Sequence, residues 1–134
     1  MMDGMDLTTL SALIFAVTAA GVMAFQIALG LGAPWGAYAM GGAFPGRYPA
    51  PMRVAAFVQA VVIALIAIAV LSAAGLVMPD LAAAFPWLIW VVVALSALAV
   101  VLNAISRSAG ERRIWVPVAV VLFLSSLLVA LTAS

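Results

Sequence analysis

The side chains that could carry chemistry are few in this sequence, which contains no histidine and no cysteine. The chain therefore lacks the commonest general base, a thiol nucleophile and the commonest metal ligand. Its acids do not cluster at the spacing of a metal site. They are Asp3, Asp6, Asp80 and Glu111. We expect no catalytic residue, no metal and no cofactor, and a membrane enzyme that uses Glu111 is the weakest of the functional alternatives.

The bases are all arginines and fall in two stretches, GAPWGAYAMGGAFPGRYPAPMR (32–53) and NAISRSAGERRIWVP (103–117). A guanidinium binds phosphate through its planar fork, and clustered arginines attract anionic lipid headgroups. One hypothesis is a face that binds a headgroup or small anion through Arg47, Arg53, Arg107, Arg112 and Arg113. The simpler explanation is that these charges only set the orientation of the chain. Glu111 would pair with Arg107 or with an arginine of the loop; in the anion-binding hypothesis it would instead orient a guanidinium for the anion.

Three amides lie in otherwise apolar runs, at Gln26, Gln59 and Asn103. Because a helix rises about 1.5 Å per residue, all three fall within roughly 10 Å of the helix ends next to the arginines. An amide that faces lipid is unpaired, so we expect the three to point inward. They would form hydrogen bonds between helices, or they would line a polar recess with Trp35 and Tyr38 as its wall.

The chain is 69% hydrophobic and only 7% charged, which is too little charge for the surface of a soluble domain. Each charge-free run holds the roughly 20 apolar residues that cross a bilayer as a helix. We predict an all-α membrane protein, with residues 1–134 forming a single four-transmembrane-helix bundle. The predicted spans are 7–31, 52–77, 86–105 and 114–133. Thr8 or Thr9 would cap the first span, and Pro117 would fall in the first turn of the last.

Between the first two spans we predict an ordered loop over residues 32–51, rich in glycine, proline and aromatic residues. Glycine permits turns and proline stops a helix from continuing, so the chain leaves the first span and returns only near Pro51. The aromatic side chains are not typical of a solvated linker. The loop would lie in the membrane interface as an anchor or cover the mouth of the bundle as a lid.

The placement of charge predicts the orientation. In a four-span chain the loop 32–51 and the connection between the last two spans share one side, and every arginine lies in or beside them. The positive-inside rule places both connections in the cytoplasm and both termini outside, on the side of Asp3, Asp6 and Asp80. We expect a protein integral to the bacterial inner membrane, with membrane lipids as partners and no nucleic-acid partner.

A row of small residues follows the first span at every fourth position. It consists of Ala12, Ala16, Ala20, Ala24 and Ala28. Small residues allow another helix to approach closely. Gln26 points to nearly the opposite face of the helix, so burial of both faces requires a neighbour on each side. We therefore expect a homo-oligomer formed through this row.

The segments GAPWGAYAMGGAFPGRYP and NAISRSAGERRIWVP together resemble patterns in small bacterial four-span integral membrane proteins of uncharacterised function. The resemblance covers the two loops and the adjoining helix ends. It implies no activity, substrate or site.

The hypothesis that these residues favour is a non-enzymatic integral membrane protein that binds a lipid headgroup, a small anion or a protein partner at its arginine-rich cytoplasmic face. The alternative is an oligomeric channel or transporter for a small solute, with the three amides along its path.

Overall fold

The computed structural model describes residues 6–133, and the regular secondary structure in that range is entirely helical. The helices are α1 (Leu7–Leu31), α2 (Ala50–Ala73), α3 (Pro79–Ala84), α4 (Leu88–Ala104) and α5 (Ala109–Thr132). Two short 3₁₀ turns, Gly36–Tyr38 and Met40–Gly42, lie in the loop between α1 and α2. The prediction of an all-α chain is confirmed. Asp3, on which the predicted orientation partly rests, lies outside the described residues.

Three helices, α1, α2 and α5, are long and apolar enough to cross a membrane, by length and composition. Helix α4 is apolar but has 17 residues. At about 1.5 Å per residue it is roughly 25 Å long, against a hydrocarbon core of about 30 Å. The chain is thus a helical membrane protein with three candidate spans. A crossing by α4, and with it the four-span bundle, stays a prediction.

Capping interactions explain where the first two helices begin and end. The N-cap of α1 is Asp6, which accepts a hydrogen bond from the Thr9 N–H at 2.8 Å, so the threonines predicted as caps lie in the first turn instead. This bond favours the ionised carboxylate and lowers the pKa of Asp6 below its usual value. Helix α2 ends at Ala73 rather than at Val77, because Gly75 adopts φ 77° and turns the chain toward α3.

Helix α5 begins at Ala109, five residues before the predicted start of the last span at Ile114. Its N-cap is Ser108, whose Oγ accepts a hydrogen bond from the Glu111 N–H at 3.1 Å. Serine followed three residues later by glutamate is a typical helix-start pattern, and a span defined by hydropathy alone does not include it. Pro117 therefore lies inside the helix rather than in its first turn.

The four larger helices lie side by side in the order α2, α1, α5, α4, and α2 and α4 meet over a shorter stretch than the other neighbours. We call the end of the bundle where α1 begins and α5 ends the terminal end; there the Thr8 hydroxyl donates to Thr132 Oγ1 at 2.6 Å. All four helices contribute to a core toward this end. Its buried residues include Ala12, Phe15, Val70, Val92 and Val129.

The opposite end, which we call the loop end, carries the loop 32–49 and the turn 105–108. A smaller cluster is buried there, formed by Leu29 and Ala56 of the helices and Tyr48 of the loop. The main core therefore occupies the terminal half of the bundle, and the loop half leaves space between the helices.

The alanine row of α1 does not form one face. Ala12 is fully buried in the core, whereas Ala20 and Ala24 are exposed. A step of four residues turns about 400°, so the row drifts by roughly 40° at each step and winds around the helix. A contact between copies through this row stays a prediction, and Ala12 is not free to take part in it.

Candidate functional site

The loop half of the bundle contains a cavity of about 500 Å³ with walls from α1, α2, α4 and α5. Its volume lies in the range of roughly 300–1,000 Å³ typical of small-molecule sites. Its deeper part is apolar and reaches Phe15 and Ala19 at the edge of the main core, with Ile66 and Leu122 on the facing walls. Polar groups border it as well. They are Gln26, Gln59, Ser96, Asn103 and Glu111.

The three amides singled out from the sequence all border this cavity, each from a different helix. Asn103 donates through Nδ2 to the carbonyl of Ala99 in its own helix at 2.7 Å, so the acceptor Oδ1 remains for another partner. Gln26 is partly buried, whereas Gln59 is exposed. The structure thus brings Gln26, Gln59 and Asn103 to one space, and whether this space is a binding recess stays a hypothesis.

The cavity is open between α2 and α4. On α2, Gln59 and Val62 border the cavity and are also exposed, and on α4 the same holds for Leu95 and Leu102. These are the two helices that meet over only a short stretch.

The loop 32–49 covers the loop end of the cavity, where Tyr38, Ala39 and Met40 form part of its lining. Three side chains at the start of α5, that of its N-cap Ser108 and those of Glu111 and Trp115, hold the backbone of this loop. The bonds are Ser108 Oγ–H to the Ala37 carbonyl (2.7 Å), Gly41 N–H to Glu111 Oε2 (3.0 Å) and Trp115 Nε1–H to the Tyr38 carbonyl (2.7 Å). Positions 108, 111 and 115 share one helix face because they are three and four residues apart. We call the segment 37–41 the roof.

Glu111 is the charged residue most closely tied to the cavity. It is 7% exposed, borders the cavity and holds the roof through Gly41. The Glu111 carboxylate accepts its hydrogen bond from the backbone of the loop. The sequence instead predicts a salt bridge between Glu111 and an arginine. The position of Glu111 in the first turn of α5 stabilises a negative charge through the helix dipole.

The arginines are separate from the cavity. Arg47 and Arg53 donate through Nε to the carbonyls of Gly32 (2.9 Å) and Gly30 (2.8 Å), which are unpaired acceptors at the C-terminal end of α1. Arg112 donates to the carbonyl of Ser106 in the turn between α4 and α5. None of the five predicted arginines is among the described residues that line the cavity. The predicted arginines therefore lie outside the lining of the cavity that the three amides border, and an anion site at the arginines stays a prediction.

The two aromatic residues predicted as the wall occupy different positions. Tyr38 lines the cavity, whereas Trp35 stacks on Phe25 with ring centroids 6.1 Å apart. Phe25 itself lines the cavity and contacts Trp115 edge-on at 4.7 Å. Trp35 thus lies in a second layer. Phe25 and Trp115 are wall residues that the sequence did not identify, because an aromatic residue near a helix end is equally typical of a membrane interface.

Among residues 6–133, no group of three or more potential ligands is placed to hold a metal ion. A comparison of the chain with protein-family models, curated proteins and solved structures found no match.

Tyr48 provides a pH-dependent test of the packing beneath the roof. It is 5% exposed; burial raises the pKa of its hydroxyl above the usual value, and the negative charge of Glu111 raises it further. The folded state therefore favours the neutral phenol. This stabilisation is complete below the pKa of an unfolded tyrosine, about 10, and is lost as the pH rises toward the folded pKa. We expect the thermal unfolding temperature to fall above this pH.

Tyr48→Phe should flatten this alkaline loss, since phenylalanine has no proton to release. Glu111→Gln should flatten it in part, because only the charge contribution is removed. Thermal unfolding followed by circular dichroism between neutral and strongly alkaline pH measures both. An alkaline slope that is the same in Tyr48→Phe and the wild type would contradict the assignment.

Proposed function

We propose that this chain is a non-enzymatic integral membrane protein that binds a small amphiphilic molecule in the cavity at its loop end. The observation that carries the proposal is the cavity itself, which is apolar in depth, polar at Gln26, Gln59 and Asn103, covered by a roof and open between α2 and α4. A pocket of this kind, mainly apolar with a few polar groups that fix orientation, is typical of small-molecule sites.

In this proposal the apolar part of the ligand lies against Phe15, Ile66 and Leu122, and its polar end lies among the amides. The amide groups of Gln26 and Gln59 each offer donors and an acceptor, and Asn103 offers Oδ1 and its second Nδ2 hydrogen. The ligand enters from the bilayer through the opening between α2 and α4. The loop end faces the cytoplasm of a bacterial cell, because the arginines lie there.

Two features favour this function over the two alternatives, which are anion binding at the arginines and a channel or transporter for a small solute. Arg47, Arg53 and Arg112 already donate to backbone carbonyls, which leaves them less free to bind an anion. Toward the terminal end the space between the helices is filled by core residues, and Val70 and Val129 are completely buried. A solute path through a single chain would have to cross this packed half.

The proposal is tested by filling the cavity. Ala99 lines it from α4, so Ala99→Phe adds a phenyl ring to the bound ligand's space. Ala94 lies on the same helix, is exposed and is not part of the lining, so Ala94→Phe is the matched control. Equilibrium dialysis of the protein in lipid nanodiscs against triphenylphosphine oxide, a neutral apolar molecule with one strong acceptor, measures binding after subtraction of empty nanodiscs.

We expect saturable binding of one molecule per chain, weakened at least about tenfold by Ala99→Phe, which corresponds to about 1.4 kcal/mol. Ala94→Phe should bind like the wild type. Saturable binding that Ala99→Phe leaves intact would show that the cavity is not the site.

A further inference from the structure

The charges around the cavity define the chemistry of the ligand's polar end. Glu111 is the one carboxylate among the described residues that line the cavity, and no arginine lines it. At 7% exposure it is largely removed from water. A buried carboxylate is costly unless hydrogen bonds or an opposite charge compensate it. The Gly41 N–H and the N-terminus of α5 stabilise it in part, and neither is a full positive charge.

The other polar groups are also suited to a positive charge. Asn103 donates one Nδ2 hydrogen within α4, and its Oδ1 remains able to accept; the amides of Gln26 and Gln59 can likewise turn their oxygens inward. The aromatic rings of Tyr38 and Trp115 line the same space. Aromatic faces attract cations, and the attraction is stronger where the cation is desolvated.

An anion in the cavity would lie near a carboxylate and would have no guanidinium beside it. The guanidinium groups of Arg47 and Arg53 are directed to the C-terminal carbonyls of α1, outside the cavity lining. An anionic group in the cavity would therefore approach the Glu111 carboxylate without a compensating cation. The raised pKa of Tyr48 is consistent with this, because the charge of Glu111 acts on its surroundings in the loop half.

The geometry points to a lipophilic cation as the ligand of the cavity, with Glu111 as its counter-ion. The class comprises protonated amines and quaternary ammonium or phosphonium ions with apolar substituents. This inference rests on the proposed function, because it assigns the charge of a ligand that the cavity must first bind.

Three probes of similar apolar bulk and different charge test the inference. They are tetraphenylphosphonium (positive), triphenylphosphine oxide (neutral) and tetraphenylborate (negative). Each is dialysed to equilibrium against the full chain in nanodiscs of zwitterionic lipid, with empty nanodiscs subtracted to remove partition into the bilayer. The variants are Glu111→Gln, which keeps an oxygen to accept from Gly41, and Glu111→Asp, which keeps the charge. Asp80→Asn makes the same chemical change at an exposed residue of α3, away from the cavity.

We expect the wild type to bind the cation at least about tenfold more tightly than the neutral probe and to bind the anion more weakly than either. Glu111→Gln should remove the preference for the cation, so that this variant binds the cation and the neutral probe with similar affinity. Glu111→Asp and Asp80→Asn should retain the preference for the cation. The wild-type comparison needs no substitution, so the test stands even if Glu111→Gln does not fold.

Saturable neutral binding that Ala99→Phe abolishes, together with no preference for the cation, would overturn the inference and leave the proposed function standing. A preference for the cation that persists in a folded Glu111→Gln protein would also overturn it. Absence of saturable binding by the neutral probe and the cation alike would refute the proposed function itself.

Discussion

Gly36→Ala is expected to destabilise the protein by about 3 kcal/mol, near the upper end of the cost of overpacking. A Cβ at this position would overlap the carbonyl oxygen of Phe44 and would lie 2.7 Å from the carbonyl oxygen of Gly46. The Gly36 N–H also donates to the Gly46 carbonyl at 2.9 Å. Because the obstructing atoms are backbone, no side-chain rotation relieves the overlap, and the loop must open between residues 36 and 46.

Thermal unfolding in a mild detergent measures this effect. The matched control is Gly21→Ala in α1, where an added Cβ meets no atom within 4 Å. Alanine is a better helix former than glycine by about 1 kcal/mol, so the control should be unchanged or slightly stabilised. Equal unfolding temperatures for the two variants would mean that the loop is not folded on itself as described.

Ser108→Ala is expected to have the second-largest effect, a loss of about 2 kcal/mol. Its hydroxyl oxygen accepts the Glu111 N–H at the start of α5, a cap interaction of about 1 kcal/mol. The same hydroxyl donates to the Ala37 carbonyl at 2.7 Å, a hydrogen bond of about 1 kcal/mol. One substitution therefore weakens both the helix start and the attachment of the roof.

Hydrogen exchange of the loop amides distinguishes these two contributions. In Ser108→Ala the amides of the roof, residues 37–41, should exchange faster than in the wild type, and Ser108→Thr should restore protection because threonine keeps the hydroxyl. Ser125→Ala is the control, since the Ser125 hydroxyl donates to the Val121 carbonyl of its own helix at 2.6 Å. Unchanged exchange in Ser108→Ala would show that the Ser108 hydroxyl does not hold the roof.

The depth of the three amides along their helices follows from the amino-acid sequence. Gln26, Gln59 and Asn103 each lie at a known number of residues from a helix end, and a constant rise per residue converts that number into a depth. This reasoning places them near the same end of the bundle without any knowledge of packing. It does not provide the rotation of each helix about its own axis. That rotation determines that all three amides border one cavity and that Gln59 is also exposed at the opening.

The roles of the arginines do not follow from the sequence in this way. A guanidinium on a long side chain reaches partners far along the chain, as Arg53 does when it donates to Gly30 of α1. Charge patterning indicates which side of a membrane such a residue favours. It does not indicate the partner of the guanidinium, because a carbonyl at a helix end and an anionic ligand both accept its hydrogen bonds. The sequence pattern therefore groups the arginines with the amides, and the structure separates them.

The helical class, the apolar helices and the concentration of polar and charged residues at one end all follow from the sequence. Those properties depend on local composition and on the hydrogen bonds that a backbone must make inside a bilayer. Tertiary structure alone decides that the terminal half is packed and the loop half is hollow, and that Glu111 is held beneath the roof. These features depend on contacts between residues far apart in the chain, such as Gly41 and Glu111, which no local pattern specifies.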